Sequence, residues 1–162
     1  MPSKKIIVIG CPGAGKSTLA RALHTQTGLP LYHLDLMYWN EDRTTVEKSV
    51  FLERLSSVLS GEEWIIDGNY ASTMELRMAE CDTVIFLDYP TELCLEGVRA
   101  RKGVKRPDLP WIEDEDDEEF LEYIKAFHQS QRPQIFTLLE CFKAQKNIII
   151  LHNREEADAL LR

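Results

Sequence analysis

The stretch Gly10-Cys11-Pro12-Gly13-Ala14-Gly15-Lys16-Ser17-Thr18 constrains this chain more than any other. It fits the pattern G-x-x-x-x-G-K-[ST], a loop that holds phosphate. The apolar run Ile6-Ile7-Val8-Ile9 enters it and reads as a buried strand over 5–9, and a helix over 16–27 leaves it. Glycine accepts positive φ, so Gly10, Gly13 and Gly15 let successive N–H groups converge on one anion. The helix start adds unpaired N–H groups and the positive end of its dipole. Lys16 is placed to reach the β- and γ-phosphates of a nucleoside triphosphate, and the Ser17 hydroxyl to ligate Mg²⁺. The whole stretch from Gly10 to Thr18 is therefore read as the nucleotide-binding segment, with ATP and Mg²⁺ as the expected cofactors.

The rest of the 162-residue chain alternates strand and helix signals. After Gly28, a helix stop, Leu31-Tyr32-His33-Leu34 reads as a second strand ending at Asp35. Thr44-x-x-Glu47 reads as a capping box opening a helix to about residue 60. Trp64-Ile65-Ile66 is a third strand ending at Asp67-Gly68, and Ser72-x-x-Glu75 caps a short helix. Residues 83–87 form a fourth strand ending at Asp88, followed by a helix over 91–102. Residues 103–116, rich in proline and charge, read as a surface excursion. Helices are expected over 117–131 and from Pro133 to about 144, a fifth strand over 147–151 and a last helix over 155–161. Short, continuously apolar strands belong to parallel sheets covered on both faces, and alternation of strand and helix gives an α/β doubly wound sandwich. Such sheets bind ligands beyond the carboxyl ends of their strands, where Asp35, Asp67 and Asp88 all stand.

One domain is expected at this length. The net charge is −8, and the run Glu113 to Glu119 supplies seven of the negative charges. A general nucleic-acid binder should be basic on one face, so no direct nucleic-acid partner is expected. No apolar run approaches the length of a membrane span, and residues 6–9 are too short for the core of a leader peptide. Cys11, Cys81, Cys94 and Cys141 show neither a C-x-x-C pair nor metal-finger spacing, which fits reduced thiols in a cytoplasmic protein. Cys11 reads as a tolerated position of the phosphate loop and not as a nucleophile.

Chemistry can be assigned to the rim residues. Asp67 would hold water of the Mg²⁺ shell, with Asp88 as an alternative. Asp35 would accept a proton from a hydroxyl or orient metal-bound water. His33 reads as a satisfied core histidine. Tyr38 and Trp39 are either core packing or a stacking wall for a ring. Arg99, Arg101, Arg106 and Arg132 are candidates for the cations that meet charge developing in phosphoryl transfer, and Arg77 for binding an acceptor anion.

Together, the phosphate loop, the Asp-Gly after strand three, Asp88-Tyr89-Pro90 and the spaced arginines resemble the adenylate-kinase-like small-molecule kinases. Tyr32-His33-Leu34-Asp35-x-x-Tyr38-Trp39 and Trp64-Ile65-Ile66-Asp67-Gly68-Asn69-Tyr70 resemble, within them, the bacterial DNA topology modulation protein group. The resemblance implies a three-layer P-loop NTPase sandwich, a five-stranded parallel sheet of order 2-3-1-4-5 and a short lid at about 103–116. It implies ATP and Mg²⁺ as phosphoryl donor. The leading expectation is an ATP- and Mg²⁺-dependent phosphotransferase acting on a small metabolite, foremost a nucleotide or nucleoside, with Lys16, Asp35, Asp67, Arg99, Arg101 and Arg132 as its catalytic residues and Ser17 and Asp67 as metal-holding ones. Two alternatives stand beside it: a nucleotide-binding regulator linked to DNA topology through partners, and a kinase of a small polyol or sugar acid. The likeness departs from nucleoside-monophosphate kinases after Asp67-Gly68, where Asn69-Tyr70 follow and no arginine stands before Arg77.

Overall fold

The computed structural model describes residues 3–110 and 118–162. Strand β1 (Lys5–Gly10) lies at the centre of a five-stranded, all-parallel sheet of order β2-β3-β1-β4-β5. It pairs with β3 (Trp64–Asp67) on one side and β4 (Thr83–Leu87) on the other. Beyond these lie β2 (Leu31–His33) and β5 (Asn147–Leu151). Successive strand side chains point to opposite faces. Every residue of β3 and β4, and all of β1 after Lys5, is buried, so both faces are covered. The order and direction of the strands are as expected from the sequence.

The helices are α1 (Lys16–Thr27), α2 (Leu34–Tyr38), α3 (Lys48–Leu59), α4 (Ala71–Glu80), α5 (Thr91–Arg101), α6 (Glu118–Phe142) and α7 (Arg154–Leu160). Helix α1 ends as expected, with Gly28 left-handed at φ 77° and its N–H on the His24 carbonyl. Several local readings are corrected. Strand β2 stops at His33, and Leu34 begins a five-residue helix, so Asp35 lies in a first helical turn instead of ending a strand. Thr44 caps no helix. It closes a small turn, with Asp42 accepting from its N–H and hydroxyl, and α3 starts only at Lys48. Helix α4 begins at Ala71 without a side-chain cap from Ser72. Pro133 does not separate two helices but lies inside α6. Ile124 and Phe127 before it and Ile135 and Leu139 after it are all buried. Core packing on both sides thus outweighs the missing N–H and ring clash of an interior proline. Of the lid segment and the acidic run, residues 111–117 lie outside the described residues.

Candidate active site

The parallel sheet brings the ends of β1, β3 and β4 to one rim. Strand β1 delivers the phosphate loop there. Gly10, Gly13 and Gly15 take φ of 154°, 88° and 95°, and the loop closes through Ala14 N–H on the Cys11 carbonyl at 3.1 Å. At Gly13 a side chain is impossible for a second reason: a Cβ there would stand 2.0 Å from the Cys94 carbonyl oxygen. Gly97 faces it from α5, where a Cβ would lie 2.0 Å from the Gly13 carbonyl oxygen. The loop is thus seated directly on the backbone of α5. The Cys11 thiol lies against that of Cys94; this contact and burial push the Cys11 pKa up, and nothing marks it as a nucleophile.

Lys16 reaches back to the Cys11 carbonyl at 3.3 Å. Burial lowers its pKa, the charge of Arg101 lowers it further, and Asp35 and Asp67 counter both. Those three groups therefore share one electrostatic neighbourhood with the loop lysine. Ser17 Oγ is buried without a hydrogen-bonding partner. An orphaned hydroxyl at the start of the helix beyond the loop is what a bound metal ion would satisfy, so the residues fit Mg²⁺ with a nucleoside triphosphate. Among the described residues no three metal-ligating side chains cluster.

Asp67 ends β3 in register with His33 of β2. The two side chains meet, His33 Nδ1 to Asp67 Oδ2, at 2.6 Å. Burial alone would lower the His33 pKa, but the hydrogen bond and charge of Asp67, helped by Asp108, outweigh it and raise it. His33 is the satisfied histidine expected, and its partner is a predicted site residue. Asp35 accepts a hydrogen bond from the Tyr70 hydroxyl at 2.5 Å. Burial raises the Asp35 pKa; Tyr70 and Lys16 pull it down, Asp108 and Asp67 push it up, and the outcome is a raised value.

The arginines separate. Arg101 lies near Lys16 and the loop. Arg99 is exposed on α5. Arg132 makes a two-pronged ion pair with Asp88, at 2.8 and 3.0 Å, tying α6 to the end of β4; Asp88 is thus engaged by a cation. Arg106 pairs with Asp108 at 3.6 Å. Arg77 is fully buried and serves the backbone: it donates to the carbonyls of Gly68, Asn69 and Tyr70 and to Thr73 Oγ1. Burial lowers its pKa to about 10. The expectation that Arg77 binds an acceptor anion is corrected; its donors hold the turn after β3, where Tyr70 takes the strained φ of 28°.

The chain has the P-loop NTPase fold of shikimate kinase. The structure of shikimate kinase from Acinetobacter baumannii in complex with shikimate matches 98% of this chain and 88% of its own, with a TM-score of 0.63 at 21% identity. Shikimate kinase from Bacteroides thetaiotaomicron matches 99% of this chain and 95% of its own, with a TM-score of 0.59 at 20% identity. An unliganded sugar kinase from Janibacter sp. HTCC2649 matches 99% and 91%, with a TM-score of 0.59 at 17% identity. No protein-family model and no curated protein sequence matches the chain.

Two residues at the site escaped the sequence reading. Asp108, buried in the segment after α5, bears electrostatically on both His33 and Asp35. Arg154 opens α7, and a Cβ built on Gly15 would lie 3.3 Å from its Nη1, which places a guanidinium beside the phosphate loop. For Arg154 the available signal was its place just past the fifth strand, on the same rim. Tyr38 packs edge-on against Phe51 and Tyr70, at 5.4 and 5.0 Å between ring centroids. With Val46, Lys48 and Thr73 these rings line a cavity of about 370 Å³ beside Tyr70. Tyr38 therefore serves packing and forms a wall, while Trp39 stacks edge-on to Tyr38 and pairs with Thr45. A larger, shallower groove of about 480 Å³ lies by Tyr32 and Arg54, and no predicted site residue lines it.

Proposed function

We propose that the protein is an ATP- and Mg²⁺-dependent phosphotransferase whose acceptor is a hydroxyl group of a small metabolite: a nucleoside, a polyol or a sugar acid. The observation that carries this reading is the placement of two carboxylates, the half-buried Asp35 and the buried Asp67, in the field of Lys16, beside a phosphate loop whose Ser17 hydroxyl is unpaired. The donor side supplies a polarised γ-phosphoryl group with its metal ion. On the acceptor side Asp35 takes the proton of the attacking hydroxyl. Its raised pKa makes it the stronger base, and Tyr70 fixes its orientation. The hydroxyl oxygen bonds to the γ-phosphorus as the bond to the leaving diphosphate breaks. Arg101, with Lys16, neutralises charge on the transferring group. Asp67, held by His33, would orient water of the metal shell when Mg²⁺ is bound.

A phosphate acceptor is disfavoured because Arg77, the cation the sequence offers after Asp67-Gly68, is consumed by backbone carbonyls. The kinases whose folds resemble this one include a sugar kinase and a shikimate kinase bound to shikimate, which supports a hydroxyl-bearing acceptor. The test is ATP consumption over a panel of nucleosides, nucleoside monophosphates, polyols and sugar acids, with Lys16→Ala as the control. Turnover confined to a hydroxyl acceptor and lost in Lys16→Ala is the expected result. Turnover on monophosphates alone would overturn the acceptor assignment, and no ATP binding by the wild type would overturn the whole reading.

A further inference from the structure

The turn after β3 holds a second orphan. Asn69 is buried, at 9% exposure, and neither Nδ2 nor Oδ1 of its carboxamide has a hydrogen-bonding partner. Leaving such groups unpaired in the interior is costly, because their bonds to water are lost and not replaced. The turn cannot relax to pair them, because Arg77 fixes the carbonyls of Gly68, Asn69 and Tyr70. Among the described residues, the Tyr123 hydroxyl of α6 is a polar neighbour of the carboxamide. The amide comes close enough to this phenol for a loose side-chain interaction but not for a well-formed hydrogen bond at either amide atom, and the phenol also feels the charge of Cys11 of the phosphate loop. Tyr123 thus stands near both the amide and the phosphate loop, and one residue along the chain from Asn69 stands Tyr70, whose hydroxyl holds Asp35. Tyr123 is 39% exposed, so it can yield to a ligand.

We infer that Asn69 is a specificity-determining contact to the phosphoryl acceptor and that it reads a vicinal pair of hydroxyl groups. This rests on the kinase reading above. A carboxamide presents an acceptor and a donor on one edge. Two adjacent hydroxyls match it, one donating to Oδ1 and the other accepting from Nδ2. A phosphate or carboxylate at the same place offers acceptors only, and sets a negative oxygen against Oδ1. The group recognised is therefore neutral and both donor and acceptor.

The experiment compares wild type with Asn69→Leu, which keeps the volume and removes both polar atoms. Acceptors are offered in pairs that keep the primary hydroxyl and differ in the vicinal one: adenosine with 2′-deoxyadenosine, glycerol with 1,3-propanediol, and D-glycerate with 3-hydroxypropionate, with AMP as an anionic acceptor. One diol is expected to be turned over with kcat/KM at least about tenfold above its deoxy partner, as for loss of a paired hydrogen bond. Asn69→Leu should lose that preference through the acceptor KM, with the KM for ATP unchanged. Its melting temperature without ligand should equal or exceed that of wild type, because an orphaned polar group has been removed. Equal use of diol and deoxy partner, an unaltered acceptor KM, or a melting temperature several degrees lower would each overturn the inference, the last by showing a packing role. Turnover on AMP with Asn69→Leu unaffected removes the inference and leaves a kinase. The absence of ATP consumption with every compound by wild type removes both.

Discussion

At the scale of single residues, the rim trades stability for chemistry. Asp35 is a carboxylate whose pKa burial raises, so its charged form opposes folding at neutral pH. Asp35→Asn should accordingly keep or raise the melting temperature, since the amide oxygen can still accept from Tyr70. The same variant should lower kcat with a hydroxyl acceptor by roughly 10²-fold or more, the range for loss of a general base. Thermal denaturation and steady-state kinetics at two Mg²⁺ concentrations check this together; rescue of kcat by excess Mg²⁺ would assign Asp35 to the metal instead. Arg77 works in the opposite sense. Its guanidinium satisfies three backbone carbonyls in the interior, and Arg77→Met leaves them unpaired. A loss of about 3 kcal/mol or more is expected in urea denaturation; a loss below about 1 kcal/mol would show that the turn has other support. The sequence shows Arg77 ten residues after Asp67 but not its task. That follows from side chains on a helix leaning towards its N-terminus, which here carries the guanidinium back into the turn from which α4 departs.

Among the elements, the contact between the phosphate loop and α5 gives the sharpest expectation. Gly→Ala inside a helix ordinarily stabilises by about 0.5–1 kcal/mol. At Gly97 the added Cβ would stand 2.0 Å from the Gly13 carbonyl, and the sign should reverse. Gly97→Ala is expected to destabilise by about 1–3 kcal/mol and to weaken ATP binding, measured by denaturation and by titration calorimetry. Unchanged affinity in a variant with unchanged stability would show that the loop does not need its seat. The three central strands were legible because each is a short apolar run buried on both faces, as β3 and β4 show. Boundaries set by a competing side-chain contact or by core packing were not. Thr44 has the spacing of a capping box, but its N–H and hydroxyl are bound to Asp42. Pro133 carries a helix-breaking signal, yet the apolar face of α6 continues across it. At the site, the phosphate loop is local in sequence, so its strand–loop–helix form and positive-φ glycines were legible. The His33–Asp67 pair depends on the register of β2 against β3, and no pattern within either strand states that register. Asp108 was hidden likewise, reaching the rim from a segment with no periodicity.

For the whole molecule, pH and charge set two expectations. His33 has a raised pKa in the folded protein, so folding favours its protonated form. That contribution is fully present below the ordinary histidine value of about 6.5 and is lost as pH rises through the folded value. In the presence of a chelator, so that no metal competes for Asp67, the melting temperature of wild type should fall relative to His33→Gln between pH 6 and pH 9. A flat difference across that range would contradict the ion pair. The net charge of −8 gives no basis for phosphate-backbone binding. Duplex DNA should show no salt-dependent association in anisotropy titrations, and a steep salt dependence would restore the regulatory alternative.

The turn held by Arg77 carries one more consequence. Fixing a residue's backbone costs about 1–2 kcal/mol of conformational entropy. For Gly68, Asn69 and Tyr70 that cost is met on folding, because the guanidinium that orders them belongs to the same chain. An arriving acceptor therefore finds this half of the cleft already rigid. Its association should show a simple, concentration-proportional rate with no lag for loop ordering, and the amide protons of the turn should exchange equally slowly with and without it.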